Sequence, residues 1–240
     1  NSLKKFLLGM RMNVAALIPM KGFRNAKQRL SPMLDQTGRE LLAESMFRDV
    51  LRQVRLARGL AGTFVVTGDD KVAAISAAAG AEVIREAQEK GETEAVDFAR
   101  HELANAGYEA ALIIPADMPL VRATDVERIL FQVPSDATAP FALLVPSHDR
   151  LGTNALLLAP PDLIQLRFGY DSFNFHISQV AAQGLPIRWF EDEHIALDID
   201  EPKDLQRFLS YDYHGGDSNR VAIRLLAEQG TRKLHSSGGL

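Results

Sequence analysis

Continuous apolar runs constrain the fold of this chain more than any other feature. The run NVAALI at 13–18 holds no charged residue and ends at Pro19, which fits a strand buried on both faces of a parallel sheet. Helical patterns alternate with further runs, so that strands are predicted at 63–70, 81–86 and 110–120, and helices at 37–57, 71–81, 93–107 and 124–133. This alternation predicts a doubly wound α/β domain.

The second half of the chain has a different pattern. Two runs at 141–147 and 153–160 are joined by a short polar link, which predicts a β-hairpin inserted into the fold. We also predict strands at 186–192 and 194–201 and helices at 171–184, 201–209 and 218–229. The expected architecture is a mostly parallel central sheet flanked by helices. It forms one domain at 12–210, preceded by an N-terminal extension at 1–11 and followed by a C-terminal tail at 211–240 with a short helix.

Charge and cysteine content exclude several classes of function. The net charge of -4 argues against general nucleic-acid binding, because such domains are usually basic. The absence of cysteine excludes disulfides, thiolate zinc sites and cysteine nucleophiles. No apolar run has the length of a membrane span, and the start NSLKKFLLGMRMN lacks the features of a signal peptide. We therefore expect a cytoplasmic protein with neither a nucleic acid nor a membrane as partner.

The loop after the first strand is basic although the chain is acidic. It carries Lys21, Arg24, Lys27 and Arg29 and no carboxylate, which makes it a candidate site for a phosphate or phospho-acid. Ligands of open α/β sheets bind at the carboxyl ends of the strands, where this loop lies. Neither G-x-G-x-x-G nor G-x-x-x-x-G-K-[ST] is present, and a solvated charged face remains the alternative.

Three carboxylates follow predicted strands at the same edge. Asp117 lies in a loop bracketed by prolines, which suits a hard divalent cation such as Mg²⁺, although it could instead cap the next helix or turn. Asp198 and Asp200 are two residues apart and would share one face of a strand. Like charges so placed favour a cation between them, whereas Asp200 could also cap the helix that starts near Pro202.

Two further stretches are polar where strands and helices begin. Gly152, Thr153 and Asn154 form a turn that a hairpin alone would explain. In FGYDSFNFH, Asp171 or Ser172 would cap a helix whose free N–H groups could hold an anion. His176 shares a helical face with Ser172, and a structural role is the favoured interpretation for a lone histidine there.

Five of these stretches occur in one order across positions 18 to 205: IPMKGFRNAKQRL, PADMPL, GTNALLL, FGYDSFNFH and LDIDEPKDL. Together they resemble the 2-phospho-L-lactate guanylyltransferase family of deazaflavin coenzyme biosynthesis, whose relatives use phosphoenolpyruvate or 3-phosphoglycerate. The resemblance implies a Rossmann-like nucleotidyltransferase domain. It also implies GTP and a small phospho-acid as partners, with pyrophosphate released.

The resemblance assigns roles to particular residues. Catalysis would depend on Lys21, Lys27 and Asp117, and Mg²⁺ would be held by Asp117, Asp198 and Asp200. The phospho-acid would be bound by Arg29, Gly152, Thr153 and Ser172. The nucleotide would be bound by Lys21 and Gly91. Glu92 follows Gly91 where the family has another residue, and its carboxylate could accept hydrogen bonds from the N–H edge of guanine, so we count it with the nucleotide site. The stretch KGETEAV departs from the family pattern, so the choice of base and of acid stays open.

Other functions are compatible with the residues alone. A nucleotidyltransferase of the same fold could act on a molybdopterin or sugar phosphate, although such enzymes normally have a glycine-rich first loop. A non-catalytic nucleotide-binding protein would not need the carboxylates and cations together. A dehydrogenase is disfavoured because no G-x-G-x-x-G follows a strand. The apolar residues at 218–229 could pack on the parent domain or form a homodimer.

Overall fold

A computed structural model describes residues 12–88, 90–133, 140–211 and 216–237, with the backbone alone over 230–237. The predicted extension at 1–11 lies outside these residues. The six strands form one sheet in the order β3-β2-β1-β4-β6-β5. They are β1 (Val14–Pro19), β2 (Gly62–Thr67), β3 (Glu82–Arg85), β4 (Ala110–Ile113), β5 (Phe141–Pro146) and β6 (Thr153–Ala159).

The first four strands are parallel, and β6 is antiparallel to both β4 and β5. The sheet is therefore mostly parallel with a hairpin at one side, as predicted. The helices are α1 (Gln36–Leu56), α2 (Asp70–Ala78), α3 (Glu92–Asn105), α4 (Ala123–Phe131), α5 (Ser172–Ala182), α6 (Pro202–Ser210) and α7 (Asp217–Ser237).

Helices cover both faces of the sheet, and successive residues of β1 point alternately to one face and to the other. Val14, Ala16 and Ile18 pack with apolar residues of α1, α2 and α4. Ala15 and Leu17 pack with α3 and α5 on the other face. All of these strand residues are fully buried, which explains why the sequence of β1 is apolar without alternation.

The C-terminal segment contains a longer helix than the one predicted at 218–229. Helix α7 runs from Asp217 to Ser237 and packs on α1 and α6 through an apolar cluster that includes Ala222 and Leu225. Its first turn is fixed by the buried carboxylate of Asp49, which accepts hydrogen bonds from the backbone N–H and the hydroxyl of Ser218 at 2.8 and 2.6 Å. The segment thus adds a third apolar cluster to the domain.

The prediction of strands at 186–192 and 194–201 is wrong. The first segment makes one isolated bridge between Trp189 and Leu144 of β5. In the second, the carboxylate of Asp192 accepts hydrogen bonds from the backbone N–H groups of His194 and Ile195, which forms a turn instead of a strand. Side-chain bonds of this kind satisfy backbone groups locally and compete with a strand ladder.

None of the helices in the described ranges is both long enough and apolar enough to cross a membrane.

Candidate active site

Two cavities meet at the carboxyl edge of the sheet. The first, of about 150 Å³, lies beside the basic loop, with Lys21, Lys27 and Glu86 among its lining residues. The second, of about 640 Å³, lies beside the loop between β5 and β6 and the loop before α6. We call them the loop-side and the hairpin-side cavity. They share Glu92, Pro115 and Asp117, so the loop that leaves β4 stands where they meet.

The ammonium group of Lys27 lies between two carboxylates at this junction. Its Nζ donates to Oδ2 of Asp117 and to Oδ1 of Asp200, both at 2.8 Å. Burial alone would lower the pKa of Lys27, but the two carboxylates outweigh it and hold the pKa above its ordinary value. The basic loop is therefore tied to the acidic residues by charge-assisted hydrogen bonds.

The backbone of the basic loop directs Lys27 toward the sheet edge. Lys27 precedes a 3₁₀ turn at Gln28–Leu30 and has a left-handed conformation with φ of 52°. Buried Leu30 anchors that turn in the cluster beneath α1 and α7. A non-glycine residue rarely adopts this conformation, and such residues are frequent at functional sites.

Asp198 lines the hairpin-side cavity together with Asp117 and Asp200, which makes a group of three carboxylates. Its Oδ1 accepts a hydrogen bond from the side-chain amide of Asn154 at 3.0 Å. Burial and the nearby charge of Asp117 raise the pKa of Asp198 to about 6. Asp200 is also partly buried, which would raise its pKa, but the charge of Lys27 holds that pKa below its usual range.

The alternative roles considered for two of these aspartates are not what the structure shows. Helix α6 is capped by Glu201, whose side chain accepts from the first turn while Asp204 reaches back to the N–H of Glu201. Asp200 is therefore not the cap of this helix. Helix α4 begins after Arg122, and the carboxylate of Asp117 is bonded to Lys27. The side chains of Asp117 and Asp200 instead line the hairpin-side cavity.

The remaining cations of the basic loop are differently placed. Lys21 is exposed and lines the loop-side cavity. Arg29 is 70% exposed at the rim of the hairpin-side cavity, with its Nη1 3.8 Å from Asp200 and 4.0 Å from Glu201. Arg24 is exposed and lines neither cavity. Three of the four cations thus surround the junction.

Gly91 and Glu92 place a carboxylate between the cavities at the start of α3. Gly91 has φ of 140°, a conformation that favours glycine, and it precedes the first turn of the helix. Glu92 lines both cavities. Burial and the charge of Asp117 raise its pKa to about 7, so Glu92 is a partly protonated group at neutral pH.

Gly152, Thr153 and Ser172 lie together on the wall of the hairpin-side cavity. The N–H of Thr153, the first residue of β6, donates to the hydroxyl of Ser172, the first residue of α5, at 2.9 Å. The N–H of Gly152 donates to the hydroxyl of Ser147, which holds the turn closed. A backbone N–H and a hydroxyl that are 19 positions apart in the chain are thereby joined at one wall.

Two residues at this site were not recognised as site residues in the sequence. Asn154 holds Asp198, whereas its position in a turn had suggested a hairpin residue alone. His176 is fully buried, and its Nδ1 lies 2.9 Å from the Thr153 hydroxyl. The signal for Asn154 was a polar side chain at the start of an otherwise apolar strand.

The three carboxylates Asp117, Asp198 and Asp200 suit a divalent cation. Asp117 and Asp200 share the ammonium of Lys27, whereas burial and the charge of Asp117 raise the pKa of Asp198. Carboxylate oxygens are the ligands that Mg²⁺ prefers. Within the described ranges, however, the group of ligand atoms that all lie within 4.8 Å of one another is formed by Asp125, Asp192 and His194. That group lines neither cavity, and Arg128 is already hydrogen-bonded to Asp192. Asp117, Asp198 and Asp200 would have to draw closer together to share one ion.

Comparisons with known proteins identify the family of this chain. A family model described as "Guanylyl transferase CofC like" matches residues 14–223. The chain is 37% identical to a phosphoenolpyruvate guanylyltransferase of Rubrobacter xylanophilus over 82% of this chain and 93% of that protein. It is 32% identical to a 2-phospho-L-lactate guanylyltransferase of Methanothermobacter thermautotrophicus over 90% and 92%. A 3-phospho-D-glycerate guanylyltransferase of Colwellia psychrerythraea is 34% identical over 82% and 90%.

Solved structures show the fold. A candidate nucleotide-diphospho-sugar transferase from Desulfovibrio desulfuricans G20 superposes with a TM-score of 0.73 at 15% identity, over 90% of this chain and 98% of that one. A CMP:2-keto-3-deoxy-manno-octonic acid synthetase complexed with CTP gives a TM-score of 0.57 at 16% identity, over 82% and 96%. The Rossmann-like nucleotidyltransferase fold expected from the sequence is confirmed.

Proposed function

The chain belongs to the CofC-like guanylyl transferase family and is a nucleotidyltransferase, and we propose that it transfers GMP from GTP to the phosphate of a small phospho-acid. The proposed acceptors are phosphoenolpyruvate, 2-phospho-L-lactate and 3-phospho-D-glycerate, and the proposed pathway is deazaflavin coenzyme biosynthesis. The observation that carries the proposal is the contact of Lys27 with Asp117 and Asp200 where the two cavities meet.

In the proposed reaction, an oxygen of the acceptor phosphate attacks the α-phosphorus of GTP. A bond forms between that oxygen and the α-phosphorus, the bond from the α-phosphorus to the bridging β-oxygen breaks, and pyrophosphate leaves with the electron pair. A phosphate monoester is largely ionised at neutral pH, so no general base is needed. The requirement is to bring two anions together.

The residues around the junction meet that requirement in parts. Lys21 and Lys27 supply positive charge beside the loop-side cavity, where we place the nucleotide. Thr153 and Ser172 supply hydroxyl groups on the wall of the hairpin-side cavity, where we place the phospho-acid, and Arg29 supplies a cation at its rim. The lysines would orient the phosphates of the nucleotide, and the hydroxyl groups with Arg29 would orient the phospho-acid, so that the acceptor oxygen is aligned for in-line attack.

Mg²⁺ would be held by Asp117, Asp198 and Asp200. When bound, the ion would neutralise phosphate charge that lysines alone leave uncompensated. Glu92, which faces both cavities, would accept hydrogen bonds from the N–H edge of guanine, with Gly91 setting its position.

The test is an assay of pyrophosphate release. The protein is incubated with Mg²⁺, each nucleoside triphosphate in turn, and, as acceptor, each of the three phospho-acids or a sugar phosphate. Release with GTP and at least one phospho-acid is expected. The absence of release from every pair would refute the enzyme proposal, and release with CTP but not GTP would refute the base assignment. Release only with a sugar phosphate as acceptor would overturn the acceptor class.

A site variant tests the role of the carboxylates. Asp117→Asn keeps the size of the side chain and removes the charge that Lys27 contacts, so kcat should fall by about 10²-fold or more. The matched control is Asp162→Asn, because Asp162 is exposed and lines neither cavity. The control should retain the activity of the wild type. An Asp117→Asn enzyme as active as the wild type would remove Asp117 from the catalytic group.

A further inference from the structure

His176 is a buried polar side chain that has no role in the proposed reaction as described above. It has no exposed surface and lies edge-on to the rings of Phe168 and Phe175, with centroids 5.5 and 5.8 Å away. Both ring nitrogens nevertheless have polar partners. Nε2 is 3.2 Å from the backbone N–H of Arg167, and Nδ1 is 2.9 Å from the hydroxyl of Thr153.

These two partners determine which nitrogen carries the proton. The backbone N–H of Arg167 can only donate, so Nε2 must accept and cannot hold a proton. Burial, with the nearby charges of Arg167 and Arg100, lowers the pKa of His176 to about 4, so the ring is neutral at pH 7. The one ring proton is therefore on Nδ1, and Nδ1–H donates to the Thr153 hydroxyl.

The same reasoning applies to Ser172. Its hydroxyl oxygen accepts the backbone N–H of Thr153. Each hydroxyl thus receives a hydrogen bond from the protein, and in the described part of the chain neither donates its own proton to another protein group. Both residues are nearly fully buried and line the hairpin-side cavity, so the proton of each hydroxyl is available only toward that cavity.

We propose that His176 is a positioning residue that fixes Thr153, alongside Ser172, as a pair of hydrogen-bond donors selecting an anionic oxygen of the acceptor. The proposal rests on the proposed function, because it assumes that the phospho-acid occupies the hairpin-side cavity. A pair of buried donors stabilises a bound oxyanion. A ligand without an acceptor at that position leaves the buried donors unsatisfied and binds more weakly. His176 acts through Thr153 and does not touch the acceptor itself.

Two substitutions separate the two bonds of His176. A glutamine amide reaches the Nε2 position and retains a partner for Arg167, whereas an asparagine amide offers an N–H near the Nδ1 position. His176→Gln should raise the KM for phosphoenolpyruvate about tenfold and leave the KM for GTP unchanged. His176→Asn should return the phosphoenolpyruvate KM toward that of the wild type. The exposed His101→Gln is the matched control and should change neither KM.

A double-mutant cycle with Thr153→Val tests whether His176 works through Thr153. In the Thr153→Val background, His176→Gln should cause no further rise in the phosphoenolpyruvate KM. A full additional tenfold rise would overturn the proposal and leave His176 with a packing role only. An equal rise of both KM values in the single variant would overturn it too.

A measurement on the wild-type protein distinguishes failure of this proposal from failure of the proposed function. Long-range ¹H–¹⁵N NMR, with the His176 ring assigned from its own backbone and side-chain resonances in the wild type, should show a protonated Nδ1 and an unprotonated Nε2. The opposite tautomer would refute the positioning role whether or not the enzyme turns over, and it remains measurable if the variants do not fold. A wild type that releases no pyrophosphate refutes the proposed function instead.

Discussion

His176 should make the stability of this protein sensitive to acid. Burial and the charges of Arg167 and Arg100 lower its pKa from the ordinary 6.5 to about 4. As pH falls below 6.5, the unfolded chain takes up a proton on this histidine, while the folded protein does not until about pH 4. The unfolded state binds more protons throughout that range, so the free energy of unfolding must fall with pH.

The magnitude follows from the two pKa values. Their difference of about 2.5 corresponds to about 3 kcal/mol once both states are protonated, at about 1.4 kcal/mol for each pH unit. At pH 5 the unfolded histidine is almost fully protonated and the folded one almost fully neutral. About 2 kcal/mol of stability should then be lost through His176.

Urea unfolding of the wild type and of His176→Gln at pH 7.5, 6.0 and 5.0 measures this effect. Glutamine does not titrate, so the difference in unfolding free energy between the two proteins isolates His176 from every other group. Between pH 7.5 and pH 5.0 the wild type should lose about 2 kcal/mol more than the variant. A constant difference between wild type and His176→Gln across this range would refute the assignment of a neutral buried ring.

Four further substitutions test other parts of the structure. Lys21→Ala should raise the KM for GTP by removing a cation from the loop-side cavity, and steady-state kinetics with unchanged KM and kcat would contradict the role of the basic loop. Glu92→Gln should lower the ratio of kcat/KM for GTP to that for ATP about tenfold, whereas an unchanged ratio would exclude Glu92 from base recognition. Asp49→Asn should lower the free energy of unfolding by about 2 kcal/mol, because the N–H and hydroxyl of Ser218 lose their charged acceptor. Ser218→Ala removes one of these two donors and should lower the free energy of unfolding by about half as much. Equal urea midpoints for the wild type and both variants would contradict the anchoring of α7.

The helix boundaries illustrate where local pattern is sufficient and where it is not. Apolar periodicity predicted α1 at 37–57, and the helix is found at Gln36–Leu56. The helix begins one residue before the predicted start, because Asp35 caps it and accepts the N–H of Gly38 at 2.8 Å. Periodicity reports which face is buried, whereas a cap depends on the exact path of the chain before the helix.

The sequence by itself determined the alternation of strands and helices in the first half of the chain and the loops after β1 and β4 in which Lys27 and Asp117 lie. These features are local, because burial on both faces requires an apolar run and a parallel strand requires a crossover. Only the tertiary structure decided which of these groups touch. Lys27 meets Asp117 and Asp200 across 90 and 173 positions of the chain, and His176 meets Thr153 across 23. No periodicity encodes such pairs, since they depend on where the packed helices bring each loop, and for the same reason a histidine on an apolar helical face looked purely structural until its two partners were seen.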